Sequence, residues 1–259
     1  MSTALVTGAS SGIGAAFSEA LAQKGSDLIL VARSRPELEQ MAERFQSEHG
    51  ISAVVIEQDL VADQAVKSVV EQVEQAGCSI DLLINNAGFG DYGAFDVSDR
   101  QKQLGMIDLN IRALVEMTHA LLPAMLQRGN GQIINVASIA GFQPMPYFSV
   151  YAATKAFVLS FSEAIGAENQ SRGIQVLALC PGPTDSKFMT VAGFPDTMSG
   201  MEQTLVSSES VVNAALAALE TGKSNVVTGG LINQMMVNSS RFMPRSWVVN
   251  GVKRIMSPS

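Results

Sequence analysis

The octapeptide TGASSGIG, residues 7–14, lies between an apolar run, ALV at 4–6, and the helical-period stretch GAAFSEALAQKG. Gly8, Gly12 and Gly14 close a tight turn between a first strand and a first helix. With no side chains at these points, backbone N–H groups and the helix N-terminus can approach a phosphate. A nucleotide-triphosphate loop would end in Gly-Lys-Ser/Thr, and this one does not. The turn therefore predicts a dinucleotide site built from Gly8, Ser10, Ser11, Gly12, Ile13 and Gly14.

Outward from this turn, short apolar or β-branched runs alternate with helical patterns. Strands are predicted at 4–7, 27–32, 53–58, 82–85, 132–137, 174–179 and 225–228. Leu38, Met41, Ala42 and Phe45 recur at helical spacing between the second and third. Ser34 with Glu37, and Pro36 in the first turn, forms a capping box that sets where that helix starts. Ser98 with Gln101 predicts the same device before a long helical region ending near residue 127. Alternation implies parallel strands and right-handed crossovers, and the runs LILVA and VLAL suit strands covered on both sides. The fold class is thus α/β: a Rossmann-like, doubly wound parallel sheet of about seven strands with helices on both faces. It is read as a single dinucleotide-binding and catalytic domain over 1–259, with its ligand beyond the carboxyl ends of the strands.

Net charge of −7 and a pI near 4.9 argue against a nucleic-acid partner. The amino terminus does not read as a signal peptide, and no apolar run approaches the ~20 residues of an integral membrane segment. Cys78 and Cys180 lie far apart and read as reduced thiols of a cytoplasmic protein. His49 and His119 share no ligand spacing, so no metal is expected.

YAATK, residues 151–155, places Tyr151 and Lys155 one helical turn apart, in a chain with three tyrosines. As a bare i, i+4 pair they would add a few tenths of a kcal/mol at most. The chemical reading is stronger. A free phenol titrates near ~10, and a neighbouring ammonium favours phenolate, so Tyr151 can exchange a proton with a carbonyl or alcohol oxygen. Ser138 ends the strand-like QIINVAS, where its hydroxyl can support a developing alkoxide.

Gly-x-x-x-Gly-x-Gly at 8–14, NNAG at 85–88, Ser138 followed by Tyr151-x-x-x-Lys155, and PGPT at 181–184 occur in that order. With them the chain resembles the compact members of the short-chain dehydrogenase/reductase family, from the first strand to about Gly230. That resemblance implies a catalytic tetrad of Asn110, Ser138, Tyr151 and Lys155, with Asn110 anchoring a water that links the lysine to solvent. It implies that Tyr151 and Lys155 also meet the nicotinamide ribose, and that Asp59 holds the adenine amino group beside Leu60. Asn86, Ala87 and Gly88 resemble the platform under the cofactor, and Pro181, Gly182 and Thr184 the segment holding its carboxamide. A homodimer or homotetramer through the helices carrying Asn110 and Tyr151 is also implied. A catalytically silent redox sensor or interaction protein on the same fold would have lost Tyr151 or Lys155. A methyltransferase using S-adenosylmethionine would want an acidic residue where Arg33 stands.

NADP is the favoured cofactor and NAD the lesser one. An NAD-specific relative would end its second strand in an acidic residue, but here Ala32 is followed by Arg33, whose fork suits a 2′-phosphate. Ser34 and Ser10 can add hydrogen bonds, while Arg35 is left out as helix surface. Phe188, Met189, Phe194 and Met198 in a segment at 185–200, with GFQPMPYF at 141–148, point to an apolar ketone or secondary alcohol as substrate. Residues 231–259 form an extension. In it Val248, Val252 and Ile255 suggest one stripe of a packed helix, with a pocket cover, a subunit interface or an anionic membrane contact as other uses.

Overall fold

Side chains of successive strand residues point to opposite faces of a sheet, and both faces here are apolar. Leu5, Ile29, Leu83 and Ile133 enter one buried cluster, whereas Val6, Leu30, Ile84 and Ile134 enter another. The computed structural model describes residues 2–186, 188–195, 205–239 and 242–257. Its strands are β1 (Thr3–Thr7), β2 (Asp27–Ala32), β3 (Ala53–Glu57), β4 (Leu82–Asn85), β5 (Gly131–Val136), β6 (Ile174–Cys180), β7 (Thr184–Asp185), β8 (Val206–Ser207) and β9 (Asn225–Val227). Its helices are α1 (Gly12–Gln23), α2 (Arg35–His49), α3 (Ala65–Gln75), α4 (Arg100–Ile107), α5 (Leu114–Arg128), α6 (Ser149–Asn169), α7 (Phe188–Val191), α8 (Ser208–Glu220), α9 (Gly230–Ser239) and α10 (Arg245–Met256).

Seven strands form one parallel sheet in the order β3-β2-β1-β4-β5-β6-β9. Phe17 of α1, Phe45 of α2 and Val212 of α8 fill one side, while Val69 of α3 and Met117 of α5 fill the other. Val158 of α6 packs on Ala178 and Cys180. The expected doubly wound architecture is therefore observed. Strand order reverses between β1 and β4, so a crevice opens beyond their carboxyl ends.

Local details differ from the sequence expectations. Ser34 precedes α2 as expected, but its hydroxyl bonds the Glu37 carboxylate and makes no side-chain cap to a backbone N–H. Asp99, not Ser98, caps α4, because its carboxylate accepts from the Gln101 and Lys102 amides, whereas the Ser98 hydroxyl turns back to the Phe95 carbonyl. Asp59 lies two residues beyond the end of β3. The parallel pair β7-β8 was not anticipated, since each strand is two residues long.

Between α4 and α5 the helix widens into a π-turn, Asp108–Ala113. α9 is held from inside by Asn233, whose amide donates to the Thr228 carbonyl at 2.9 Å. On α10, Val252 and Met256 pack inward, and the Tyr92 hydroxyl donates to the Met256 carbonyl at 2.6 Å. Ile255 is 72% exposed, unlike the expected stripe. At 3.6 residues per turn the inward face centres between Val252 and Met256, with half-buried Val249, and leaves Ile255 outside.

Candidate active site

Two loops meet at the reversal of strand order, and a buried threonine joins them. The Thr7 hydroxyl accepts from the Asn86 and Ala87 amides at 3.0 Å each and donates to the Ile84 carbonyl at 3.2 Å. The Asn86 side chain donates back to the carbonyls of Thr7, at 2.9 Å, and Gly8, at 3.2 Å. This pairing leaves no room for a Cβ at Gly14, which would collide with the Gly8 carbonyl and the Asn86 amide. Gly8 and Gly12 have φ of 66° and 53°, the left-handed region that favours glycine. Ser11 precedes α1 without a side-chain cap, so the first helical N–H groups keep their capacity for an anion. Ser11 is exposed, and Ser10 and Ile13 are half-buried. This bare glycine cradle at a helix N-terminus fits a dinucleotide pyrophosphate.

On the far side of the cradle Arg33 is exposed and has no ion-pair or hydrogen-bond partner among the described residues. Arg35 is held by Glu57 at 3.1 Å and Glu39 at 2.9 Å, which keeps it on the helix surface. Asp59 is exposed and accepts from the Val61 amide at 3.2 Å. Leu60 and Ala87 border the same small cavity, together with Thr7, Leu109 and Leu114.

Beyond β5 and β6 the polar residues converge. Ser138 precedes a short 3-10 turn; its hydroxyl accepts from the Ala140 amide at 3.1 Å, donates to the Pro181 carbonyl at 3.5 Å and stands beside the Tyr151 hydroxyl. Tyr151, 7% exposed, and Lys155, 6% exposed, lie on α6, with the Lys155 ammonium 5.7 Å from the Tyr151 ring centre. Lys155 Nζ donates to the Val136 carbonyl at 2.7 Å. Asn110 sits in the π-turn, 1% exposed; its Oδ1 accepts from the Phe89 amide at 3.1 Å. Its Nδ2 donates to the Phe89 carbonyl at 3.0 Å and to the Thr154 hydroxyl at 3.1 Å. Gly88 packs on Asn110: a Cβ there would stand 2.8 Å from Asn110 Oδ1 and 3.6 Å from Lys155 Nζ. Pro181 closes the group by accepting the Ile139 amide at 3.0 Å, and Thr184 donates to the Gly182 carbonyl at 2.9 Å.

The electrostatics correct one expectation. Burial raises the Tyr151 phenol above its usual range, the Ser138 hydrogen bond only partly opposes this, and Lys155 does not bring it down. The cause is desolvation, which penalises both charged forms: the Lys155 ammonium is itself lowered to about 8, with Cys180 acting the other way. Burial pushes the Cys180 thiol up to about 12, so it is neutral at pH 7.

An aromatic wall covers the tyrosine. Phe148 stacks on Tyr151 at 4.3 Å between ring centres, Phe188 lies at 5.3 Å, and Phe194 contacts Phe148 and Tyr92. Met145 and half-buried Tyr147 join this cluster, whereas Met198 lies outside the described residues. The sequence reading missed Thr7 and Thr154, the second of which ties Asn110 to the Tyr151 carbonyl at 2.7 Å. It also missed the buried chain in which Asn85 donates to Asn135 and Asn135 to Ser162, each at 2.9 Å. The one signal for these is a polar residue inside an apolar strand or helix run. Elsewhere, Glu19, Glu48 and His49 come together at the surface, but Arg44 pairs with both carboxylates there, at 2.6 and 3.6 Å.

Comparison with known proteins agrees with this geometry. The family model described as short chain dehydrogenase matches residues 2–193. The ketoacyl reductase HetN of a Nostoc species is 32% identical over 240 residues, 92% of this chain and 80% of the relative. The very-long-chain 3-oxoacyl-CoA reductase of Anas platyrhynchos is 37% identical over 182 residues, 69% of this chain and 58% of that protein. Among solved structures, a short-chain dehydrogenase from Sphingobium yanoikuyae in complex with NADPH superposes with a TM-score of 0.84 at 32% identity. The match covers 93% of this chain and 94% of that one.

Proposed function

The chain belongs to the short-chain dehydrogenase family, and on that premise we propose that it is an NADP(H)-dependent oxidoreductase interconverting an apolar ketone and its secondary alcohol. One observation carries the reading: Asn110 of the π-turn, Ser138 beyond β5, and Tyr151 with Lys155 on α6 come from three separate segments and meet beside a side-chain-free glycine cradle. A nicotinamide dinucleotide bound along that cradle supplies or accepts the hydride. The residues that would hold it are those of the glycine loop (Gly8, Ser10, Ser11, Gly12, Ile13 and Gly14), then Arg33, Asp59 and Leu60. Asn86, Ala87, Gly88, Pro181, Gly182 and Thr184, with Lys155, would hold its nicotinamide half.

Tyr151 is the general acid/base. Its burial keeps the phenol protonated, the form that can donate to a carbonyl oxygen. Ser138 donates to the same oxygen as negative charge develops there. Lys155, charged below about pH 8, stands next to the tyrosine as a proton source. Both N–H donors of the Asn110 side chain are used by Phe89 and Thr154, so a link from it to solvent runs through its Oδ1 or through its main chain in the widened turn. The wall of Phe148, Phe188 and Phe194 supports an apolar substrate.

Arg33, free of any carboxylate among the described residues, supports NADP, and the NADPH complex of the Sphingobium relative is consistent with it. Ser34 adds less than its position suggests, because its hydroxyl is taken by Glu37. A homodimer or homotetramer through α4, α5 and α6 is supported by the exposed Leu104, Ile107 and Phe157. The unpaired thiols Cys78 and Cys180 fit a cytoplasmic setting. Among the described residues no helix is long and apolar enough to cross a membrane.

The test is a panel of ketones and secondary alcohols followed by nicotinamide absorbance with both cofactors. It includes 3-oxoacyl thioesters, because two relatives are named as reductases of oxoacyl groups. Turnover of an apolar carbonyl, lost in Ser138→Ala and Tyr151→Phe, is expected. Cofactor binding without turnover across the panel would instead leave the silent redox sensor.

A further inference from the structure

All 24 acidic residues of the chain lie in residues 1–220, together with 12 of its 17 lysines and arginines. The last 39 residues hold the other five cations, Lys223, Arg241, Arg245, Lys253 and Arg254, and no acid. A body of net charge −12 thus ends in a segment of +5. Exposed apolar side chains concentrate in the same place: eight of the 14 large exposed hydrophobics among the described residues fall between Leu231 and Ile255.

The two helices are anchored by their inner faces. Asn233 and Val237 are buried on α9, with Leu231, Ile232 and Met235 on the opposite side. On α10, Met256 and Val252 face the protein, and Trp247 and Arg254, seven residues apart, share the outward face with Ile255 beside it. Phe242, the most exposed of these hydrophobics, lies in the connection between the helices. Arg245, Lys253 and Arg254 form no ion pair among the described residues. A second copy docking by the same surface would set cation against cation across a two-fold axis. Trp and aliphatic side chains interleaved with unpaired cations match the boundary between acyl chains and anionic headgroups.

We propose that the outward surface of α9 and α10 is a membrane-docking face that binds bilayers rich in anionic lipid, peripherally and without a spanning segment. This does not depend on the proposed activity. α9 also packs beside the 3-10 turn that follows Ser138, with Gln143 Nε2 3.8 Å from Met236 Sδ. Docking would therefore bring the catalytic end of the sheet to the lipid surface.

Trp247 is the only tryptophan in the chain, so its emission reports on this face alone. The experiment mixes the full chain with vesicles of phosphatidylcholine, with or without 30 mol% phosphatidylserine, at low and high salt. Emission should move to shorter wavelength and the protein should float with the anionic vesicles only, less so at high salt. Lys253→Gln/Arg254→Gln should weaken that partition about thirtyfold. Ile232→Ser/Met235→Ser should weaken it too, and both should leave the thermal midpoint unchanged, since all four side chains are exposed. Failure to float with anionic vesicles, equal binding to neutral ones, or binding unchanged in the charge variant would overturn the proposal. A Trp247 shift that follows protein concentration without lipid would also overturn it, in favour of a second copy.

Discussion

Tyr151 and Lys155 share one helical turn, and burial moves them in opposite directions along the pH scale. Because Tyr151→Phe removes the one transferable proton and little volume, turnover should fall about 10²- to 10⁴-fold while cofactor affinity stays within about twofold. Near-normal turnover would exclude Tyr151 as the acid. Lys155 gives a stability test. Its folded value of about 8 lies below the ordinary 10.5, so the unfolded chain holds more protons between them, and stability rises with pH across that window. From pH 7 to 9 wild type should gain about 1 kcal/mol relative to Lys155→Met in denaturant unfolding. A constant difference between the two would show that the ammonium is well solvated. At the cofactor, a free Arg33 predicts an NADP preference of about 10- to 150-fold, mostly lost in Arg33→Ala. Equal efficiency with both cofactors would sink that claim alone. Residues at this scale were legible where a motif fixed them, as for Tyr151 and Lys155. Thr7 and Thr154 were not, because a lone threonine shows its role only through partners distant in sequence, such as Asn86 and Asn110.

At the scale of elements, the seven sheet strands were legible because both faces are buried, so each strand is a short apolar run bounded by turn residues. The pair β7-β8 has no such run and depends on chain closure around Thr184. The start of α4 shows a second limit: Ser98 and Asp99 are both good caps, and only the backbone decides which carboxylate or hydroxyl faces the free amides. The π-turn around Asn110 left no mark in the sequence, since its residues suit an ordinary helix. The glycine turn is the opposite case, where sequence and packing agree. Gly14 has no space for a methyl group between the Gly8 carbonyl and the Asn86 amide. Gly14→Ala must therefore push β1 and β4 apart at their carboxyl ends. It should lower stability by about 1–3 kcal/mol and abolish measurable cofactor binding. Unfolding curves and cofactor titration on the same preparation test this; wild-type affinity in the variant would mean the turn is not where the dinucleotide lies.

Over the whole molecule, the C-terminal segment returns to the site from the last strand of the sheet. Met256 is buried against the cluster containing Tyr151, Phe148 and Phe188, and the Tyr92 hydroxyl fastens the end of α10 through the Met256 carbonyl. Tyr92 in turn stacks on Phe194 at 4.7 Å, so α10 supports the aromatic wall from behind. The sequence showed an amphipathic helix here but not its rotation: Val252 was placed correctly, while Ile255 took the place of Met256. Removing residues 244–259 should expose the back of Tyr92 and Phe194 and lose the burial of one methionine, on the order of 1.5–3 kcal/mol. Because the wall loses support and the cradle does not, the Michaelis constant for an apolar substrate should rise severalfold. The dissociation constant of the cofactor should hold within about twofold, since the added strain falls on one end of the sheet. Thermal melting, steady-state kinetics and cofactor titration separate these effects. A loss of cofactor binding equal to the loss of substrate binding would show that α10 holds the whole domain together and has no particular tie to the pocket.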